Sequence, residues 1–83
     1  MGLFKSKYEK DLDSIIDGIN MNMSNNYKDA AQEGLKELEL AVMAYSGEGK
    51  IKGQIKEFYE RQLSMFQVKL EGYTHKDQKG RWD

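Results

Sequence analysis

The sequence predicts an all-α fold, an antiparallel up-down-up three-helix bundle, from three observations. Three segments carry apolar residues at helical spacing, and two short polar breaks separate them, at 24–26 and 46–49. The chain contains no proline, so no segment includes a helix breaker. Three amphipathic helices joined by two short loops bury their apolar faces most economically around one shared core.

The first helix is predicted at about residues 6–23. Ser6 and Glu9 have the spacing of a capping box, in which two side chains satisfy free amides of the first turn. At about 100° per residue, the apolar positions occupy an arc roughly 100° wide. These positions are Tyr8, Leu12, Ile15, Ile16, Ile19 and Met23.

The second helix is predicted at about residues 27–45, with Asn26 as its N-cap. Small residues line the first half of its inner face, so Gly34 is expected where another helix crosses. A ligand pocket beside Gly34 is the alternative. The glycines of 46–49 suit a helix end, because glycine adopts the left-handed conformation that closes one. The inner face comprises Tyr27, Ala30, Ala31, Gly34, Leu35, Leu38, Ala41, Val42 and Tyr45.

The third helix is predicted at about residues 50–73, with an apolar arc of roughly 160°. Gln62 lies near the middle of this arc and must either bond across the core or mark an edge where water enters, and we favour the edge. The predicted inner face is Ile51, Ile55, Phe58, Tyr59, Phe66, Leu70 and Tyr73, flanked by Leu63 and Met65.

The domain limits follow from these segments. Residues 1–5 are predicted to form a flexible arm, residues 6–73 the bundle, and residues 74–83 a polar, frayed tail. Trp82 in that tail either folds back onto the bundle or anchors a partner.

The residue types argue against catalysis, cofactors and metals. The chain has no cysteine and one histidine, His75, and no serine lies near it in sequence, so a nucleophile–base pair is not expected. Asp11, Asp13 and Asp17 resemble part of a calcium loop, but the helical period explains their spacing better. The segment 47–50 is a glycine-rich loop that could bind an anion, without the strand and longer glycine pattern of a nucleotide loop.

Charge and hydropathy limit the partners. The net charge of −1 does not suit a nucleic-acid binder, and the segment 11–40 is acidic. No apolar run approaches the roughly 20 residues of a membrane span, and no signal peptide is evident, so a cytoplasmic location is expected. Gly2 and Ser6 match a myristoylation pattern, with lysines close by, so membrane contact through the N-terminal arm is a remote alternative.

The segment 26–30, Asn-Tyr-Lys-Asp-Ala, resembles the turn of a tetratricopeptide-type helical hairpin. With a third helix following, the chain is also similar to microtubule-interacting and trafficking domains. The resemblance implies a groove between helices that binds a peptide segment. It covers one hairpin and departs from the tetratricopeptide pattern at Gly34 and Glu37.

The leading functional hypothesis is a non-enzymatic protein–protein interaction module, because apolar residues remain after the predicted core is filled. A homodimer is the commonest way to cover such a surface. The alternative is an adaptor that binds a partner helix in a groove, which requires that Leu63, Phe66 and Leu70 are not all buried. The candidate partner-binding residues are Leu40, Met43, Leu63, Met65, Val68 and Trp82.

Overall fold

A computed structural model describes the backbone of residues 5–82 and the side chains of residues 5–70, and it confirms the all-α three-helix bundle. The helices are α1 (Lys7–Ser24), α2 (Lys28–Gly47) and α3 (Gly53–Trp82), and no strand occurs in this range. Helix α2 packs against both others. A hydrogen bond of 3.1 Å from Gln32 near the start of α2 to the carbonyl of Leu70 shows that α3 runs antiparallel to α2.

Two predicted end segments fall partly outside the described residues. Residues 1–4 of the predicted arm lie outside them, as do the side chains of the predicted tail at 74–83, including Trp82. The backbone of α3 is helical through Trp82, beyond the end predicted at Tyr73.

The first turn of α1 has the predicted capping box. The backbone N–H of Glu9 donates to Ser6 Oγ at 3.2 Å, and the N–H of Ser6 donates to Glu9 Oε2 at 3.5 Å. Each bond satisfies an amide that the helix itself cannot pair, so the sequence specifies where α1 begins.

The end of α1 corrects the prediction for Asn26. This residue has φ 64° and closes α1 in a Schellman motif, with Tyr27 N–H donating to the carbonyl of Asn22 at 2.8 Å. Tyr27 therefore occupies the N-cap position of α2, without a side-chain capping bond. Tyr27 precedes the first residue of α2, and its side chain is 60 % exposed. It therefore does not belong to the inner face of that helix.

The connection between α2 and α3 is longer than predicted. Gly49 has φ 76° and ends α2 in a second Schellman motif, with Lys50 N–H donating to the carbonyl of Tyr45 at 2.8 Å. Helix α3 then begins at Gly53 instead of Lys50. Ile51 is buried as predicted, but it belongs to the connection.

The core confirms the crossing predicted at Gly34. A Cβ added to Gly34 would lie 2.8 Å from Cγ1 of the fully buried Ile19, closer than real Cβ contacts occur. The absence of a side chain at Gly34 lets α1 and α2 approach. The buried core contains Leu12, Ile19, Ala31, Leu38, Val42, Ile51, Tyr59, Phe66 and Leu70.

Candidate protein-binding surface

An exposed row of apolar side chains runs along α3, and we call it the α3 stripe. It consists of Ile55, Phe58 and Met65, which are 41 %, 44 % and 40 % exposed, with Gln62 between them. The spacings of 3, 4 and 3 residues place all four on one side of the helix. A second row lies beside it and faces the core, formed by Tyr59, Leu63, Phe66 and Leu70.

The α3 stripe corrects the prediction that Ile55 and Phe58 belong to the inner face. A helix packed on its neighbours buries an arc of about 100°, and the apolar arc of α3 is roughly 160° wide. Because the apolar arc of α3 is wider than the arc that packing covers, the sequence already indicated that one edge of the arc would stay exposed. Gln62 is half-buried on that edge, in agreement with the expectation that it marks an edge of the core.

A shallow depression of about 270 Å³ lies at the N-terminal end of the α3 stripe, between α1 and α3. Its apolar wall is formed by Ile55 and Phe58, and the opposite wall belongs to the start of α1. The lining residues are Lys5, Glu9, Gln54, Ile55, Phe58 and Tyr59.

Tyr59 forms the base of this depression and joins α3 to α1. Its hydroxyl donates to Asp13 Oδ1 at 2.7 Å and lies 3.4 Å from the carbonyl oxygen of Glu9. Burial and the hydrogen bond to Asp13 raise the pKa of Tyr59 above its ordinary value, because both disfavour the phenolate. The ring of Phe58 packs edge-on against the ring of Tyr59, with centroids 4.9 Å apart. The depression therefore has a fixed base.

Lys5, which precedes α1, lines the side of the depression opposite Ile55 and Phe58. Its ammonium group forms an ion pair with Asp13 at 2.5 Å. The hydrogen bond to Asp13, and then its charge, raise the pKa of Lys5. This contact holds the first described residue of the chain beside the apolar wall of α3.

The predicted partner-binding residues do not form one surface. Leu40 and Met43 are 66 % and 63 % exposed on α2, and Val68 is 69 % exposed on α3, one turn beyond Met65. Leu63 is partly buried and packs against the core. Trp82 has no described side chain. Of the predicted residues whose side chains the structure describes, only Met65 belongs to the α3 stripe.

A second groove, of about 560 Å³, lies beside Gly34 on the α1–α2 face. Gly18 and Gly34 both line it, and an added Cβ at Gly18 would meet nothing within 4 Å. Its rim carries Asp11, Glu33 and Glu37. Asp11 accepts a hydrogen bond of 2.6 Å from the hydroxyl of Tyr45.

The aspartates of α1 do not converge on one point. Asp11 bonds Tyr45 of α2, whose pKa this hydrogen bond raises, whereas Asp13 bonds Tyr59 of α3. Within residues 5–70, no group of three or more His, Asp or Glu side chains could hold a metal ion. His75 lies outside the side chains that the structure describes.

Comparisons with known proteins add no relative. No family model, no curated protein and no solved structure matches this chain. In the part of the chain that the structure describes, none of the helices is both long and apolar enough to cross a membrane.

Proposed function

We propose that this chain is a non-enzymatic protein-interaction module that binds its partner through the α3 stripe. One observation carries the proposal: Ile55, Phe58 and Met65 lie on one side of α3 at 40–44 % exposure, interrupted by Gln62, beside a row that packs into the core. Single exposed apolar residues are ordinary, but aligned large ones indicate an interface. Both side-chain types suit a binding surface, because methionine adapts its shape to a partner and phenylalanine offers a large apolar contact area.

The spacing of the stripe indicates the kind of partner. Residues spaced 3 and 4 apart match the way in which one helix inserts side chains between those of another. The partner is therefore expected to contribute an apolar helix face. A second copy of this chain satisfies that requirement with its own α3, which makes a homodimer one form of the proposal.

The adaptor alternative takes a different form from the one the sequence suggested. Phe66 and Leu70 are fully buried and Leu63 is partly buried against the core, so these three residues leave little open surface for a groove. The depression between α1 and α3 offers a different place for a partner helix in this alternative. It uses the same wall, Ile55 and Phe58, and is tested by the same experiment.

The test uses a photoreactive residue at position 58 of the full chain, in cells that produce the protein naturally. The control places the same residue at Glu60, which is exposed on the same helix, about 160° around the axis from Phe58. We expect position 58 to give a discrete protein adduct and position 60 to give none. Equal adducts from both positions, or none from position 58, would refute the proposal.

The mass of the adduct separates the two forms. An adduct of twice the chain mass of 9.6 kDa identifies a homodimer, and any other mass identifies a different partner. Replacing Met65 by serine should reduce the adduct at position 58 in both cases, since Met65 lies on the same row, about 10 Å away along two helical turns from Phe58.

A further inference from the structure

We propose that two copies of this chain associate antiparallel through their α1–α2 faces, with the lysine end of each copy in the acidic groove of the other. The lysine end consists of Lys7 and Lys50. The acidic groove is the one beside Gly34, whose rim carries Glu33 and Glu37. No residue of the α3 stripe takes part, so this interface is independent of the proposed function.

The lysine end lies where α1 begins and α2 has just ended. The ammonium groups of Lys7 and Lys50 lie 5.5 and 5.4 Å from the centre of the Tyr8 ring, so one aromatic ring holds two exposed cations. The surrounding segments, residues 5–10 and 48–52, carry five lysines and two glutamates. This end of the α1–α2 face is therefore positively charged.

The acidic groove carries the opposite charge. It has a volume of about 560 Å³, and its lining contains three carboxylates and no basic side chain. Glu33 and Glu37 are exposed and lie one turn apart on α2, a spacing at which like charges destabilise a helix. Within residues 5–70, neither carboxylate forms an ion pair. A cationic group in the groove would relieve this repulsion.

The two charged regions share one face of the bundle but do not meet within one chain. Asp11 of the groove accepts the hydrogen bond of Tyr45, and Tyr45 packs edge-on against Tyr8, with ring centroids 5.0 Å apart. Glu37 and Glu33 lie 10 and 14 residues before the end of α2, or about 15 and 21 Å along its axis. Physiological salt screens exposed charges beyond about 8 Å, so these regions attract each other little within one copy.

A second copy brings the two regions together. In an antiparallel pair, a twofold axis perpendicular to the helices sets the lysine end of one copy against the acidic groove of its partner, and symmetry repeats the contact. The contact closes on itself, so a dimer is expected rather than an open chain of copies. Exposed charge pairs each contribute little, so the dimer should be weak and sensitive to salt.

The first test measures the mass of the full chain by analytical ultracentrifugation over a range of concentrations. We expect a monomer–dimer equilibrium whose dissociation constant rises several-fold between about 0.1 M and about 1 M salt, because the Debye length falls from about 10 Å to about 3 Å. A chain that is monomeric at every concentration, or a dimer indifferent to salt, would overturn the proposal.

The second test exchanges the charges. One variant combines Glu33→Lys with Glu37→Lys, and the other combines Lys7→Glu with Lys50→Glu. Each variant alone should be monomeric, because both contacts of its dimer would join like charges. An equal mixture of the two should dimerise again, because both contacts then join opposite charges. A mixture that stays monomeric, or a variant that dimerises alone as the wild type does, would contradict the interface.

Controls separate this interface from net charge, from loss of fold and from the α3 stripe. Glu39→Lys with Glu60→Lys makes the same change in net charge at exposed positions outside the groove and should leave the dimer intact. If it abolishes the dimer, net charge controls association and the interface is wrong. Glu33→Gln with Glu37→Gln, checked by circular dichroism, should weaken the dimer several-fold without adding charge. Met65→Ser should leave this dimer unchanged, whereas a dimer that depends on Met65 belongs to the α3 stripe and refutes the charged interface.

Discussion

Replacing Gly34 by alanine should destabilise the bundle, although alanine is the better helix former. The new Cβ would lie 2.8 Å from Ile19 Cγ1, an atom close to the backbone of a fully buried, β-branched side chain. Such a side chain has little freedom to move away, and overpacking of this kind costs about 1–3 kcal/mol. The gain in helix propensity is about 1 kcal/mol. The expected net loss is therefore about 1 kcal/mol.

Gly18→Ala is the matched control, because Gly18 also lies within a helix and a Cβ there meets nothing within 4 Å. It should gain stability by about 0.5–1 kcal/mol. The two variants are compared by urea and thermal unfolding, followed by circular dichroism. About 1 kcal/mol corresponds to roughly 4–8 °C in Tm for a domain of this size. If Gly34→Ala stabilises the chain as much as Gly18→Ala does, the close helix crossing is wrong.

Three further predictions concern caps and hydrogen bonds. Ser6→Ala should lower the free energy of unfolding by about 1 kcal/mol through loss of the capping box, whereas the control Ser14→Ala, exposed within α1, should leave it unchanged or raise it slightly. Tyr59→Phe should cost about 1.5 kcal/mol near pH 7. Because the folded chain holds the Tyr59 proton more tightly, wild-type stability should fall as pH rises above about 10, and the variant should lose less; equal pH slopes would contradict this. Asn26→Gly should stabilise by up to about 1 kcal/mol because φ is 64°, whereas destabilisation would show that the Asn26 side chain itself matters.

The sequence predicted the elements that local chemistry specifies. The start of α1 follows from two side chains three residues apart, and its pairing in the structure is the one the spacing predicted. Asn26 was correctly placed in the first break but given the wrong role. Asparagine favours both N-caps and left-handed helix ends, and only the backbone bonds of the following turn distinguish the two.

The sequence could not predict which part of a wide apolar arc would be covered. Ile55 and Phe66 have the same periodicity and similar hydrophobicity, yet one is 41 % exposed and the other is buried. The difference depends on where α1 and α2 contact α3, which is a tertiary property. Ile51 shows the complementary error, since its burial was predicted correctly from an apolar pattern while its helical conformation was not.

The α3 stripe is hard to explain by the stability of the isolated fold. Full burial of a large apolar side chain contributes about 1.5–3 kcal/mol to the stability of a fold. Phe58 is 44 % exposed, so it contributes only about half of that. A polar side chain at this position would cost the isolated bundle about 1 kcal/mol, whereas truncating the buried Phe66 to alanine would cost about 3–5 kcal/mol. Three such residues in one row, beside a core that is already complete, are therefore better explained by a contact outside the bundle. Under the proposed function a partner helix would provide that contact, and Phe58 would then be the residue whose substitution alters binding more than stability.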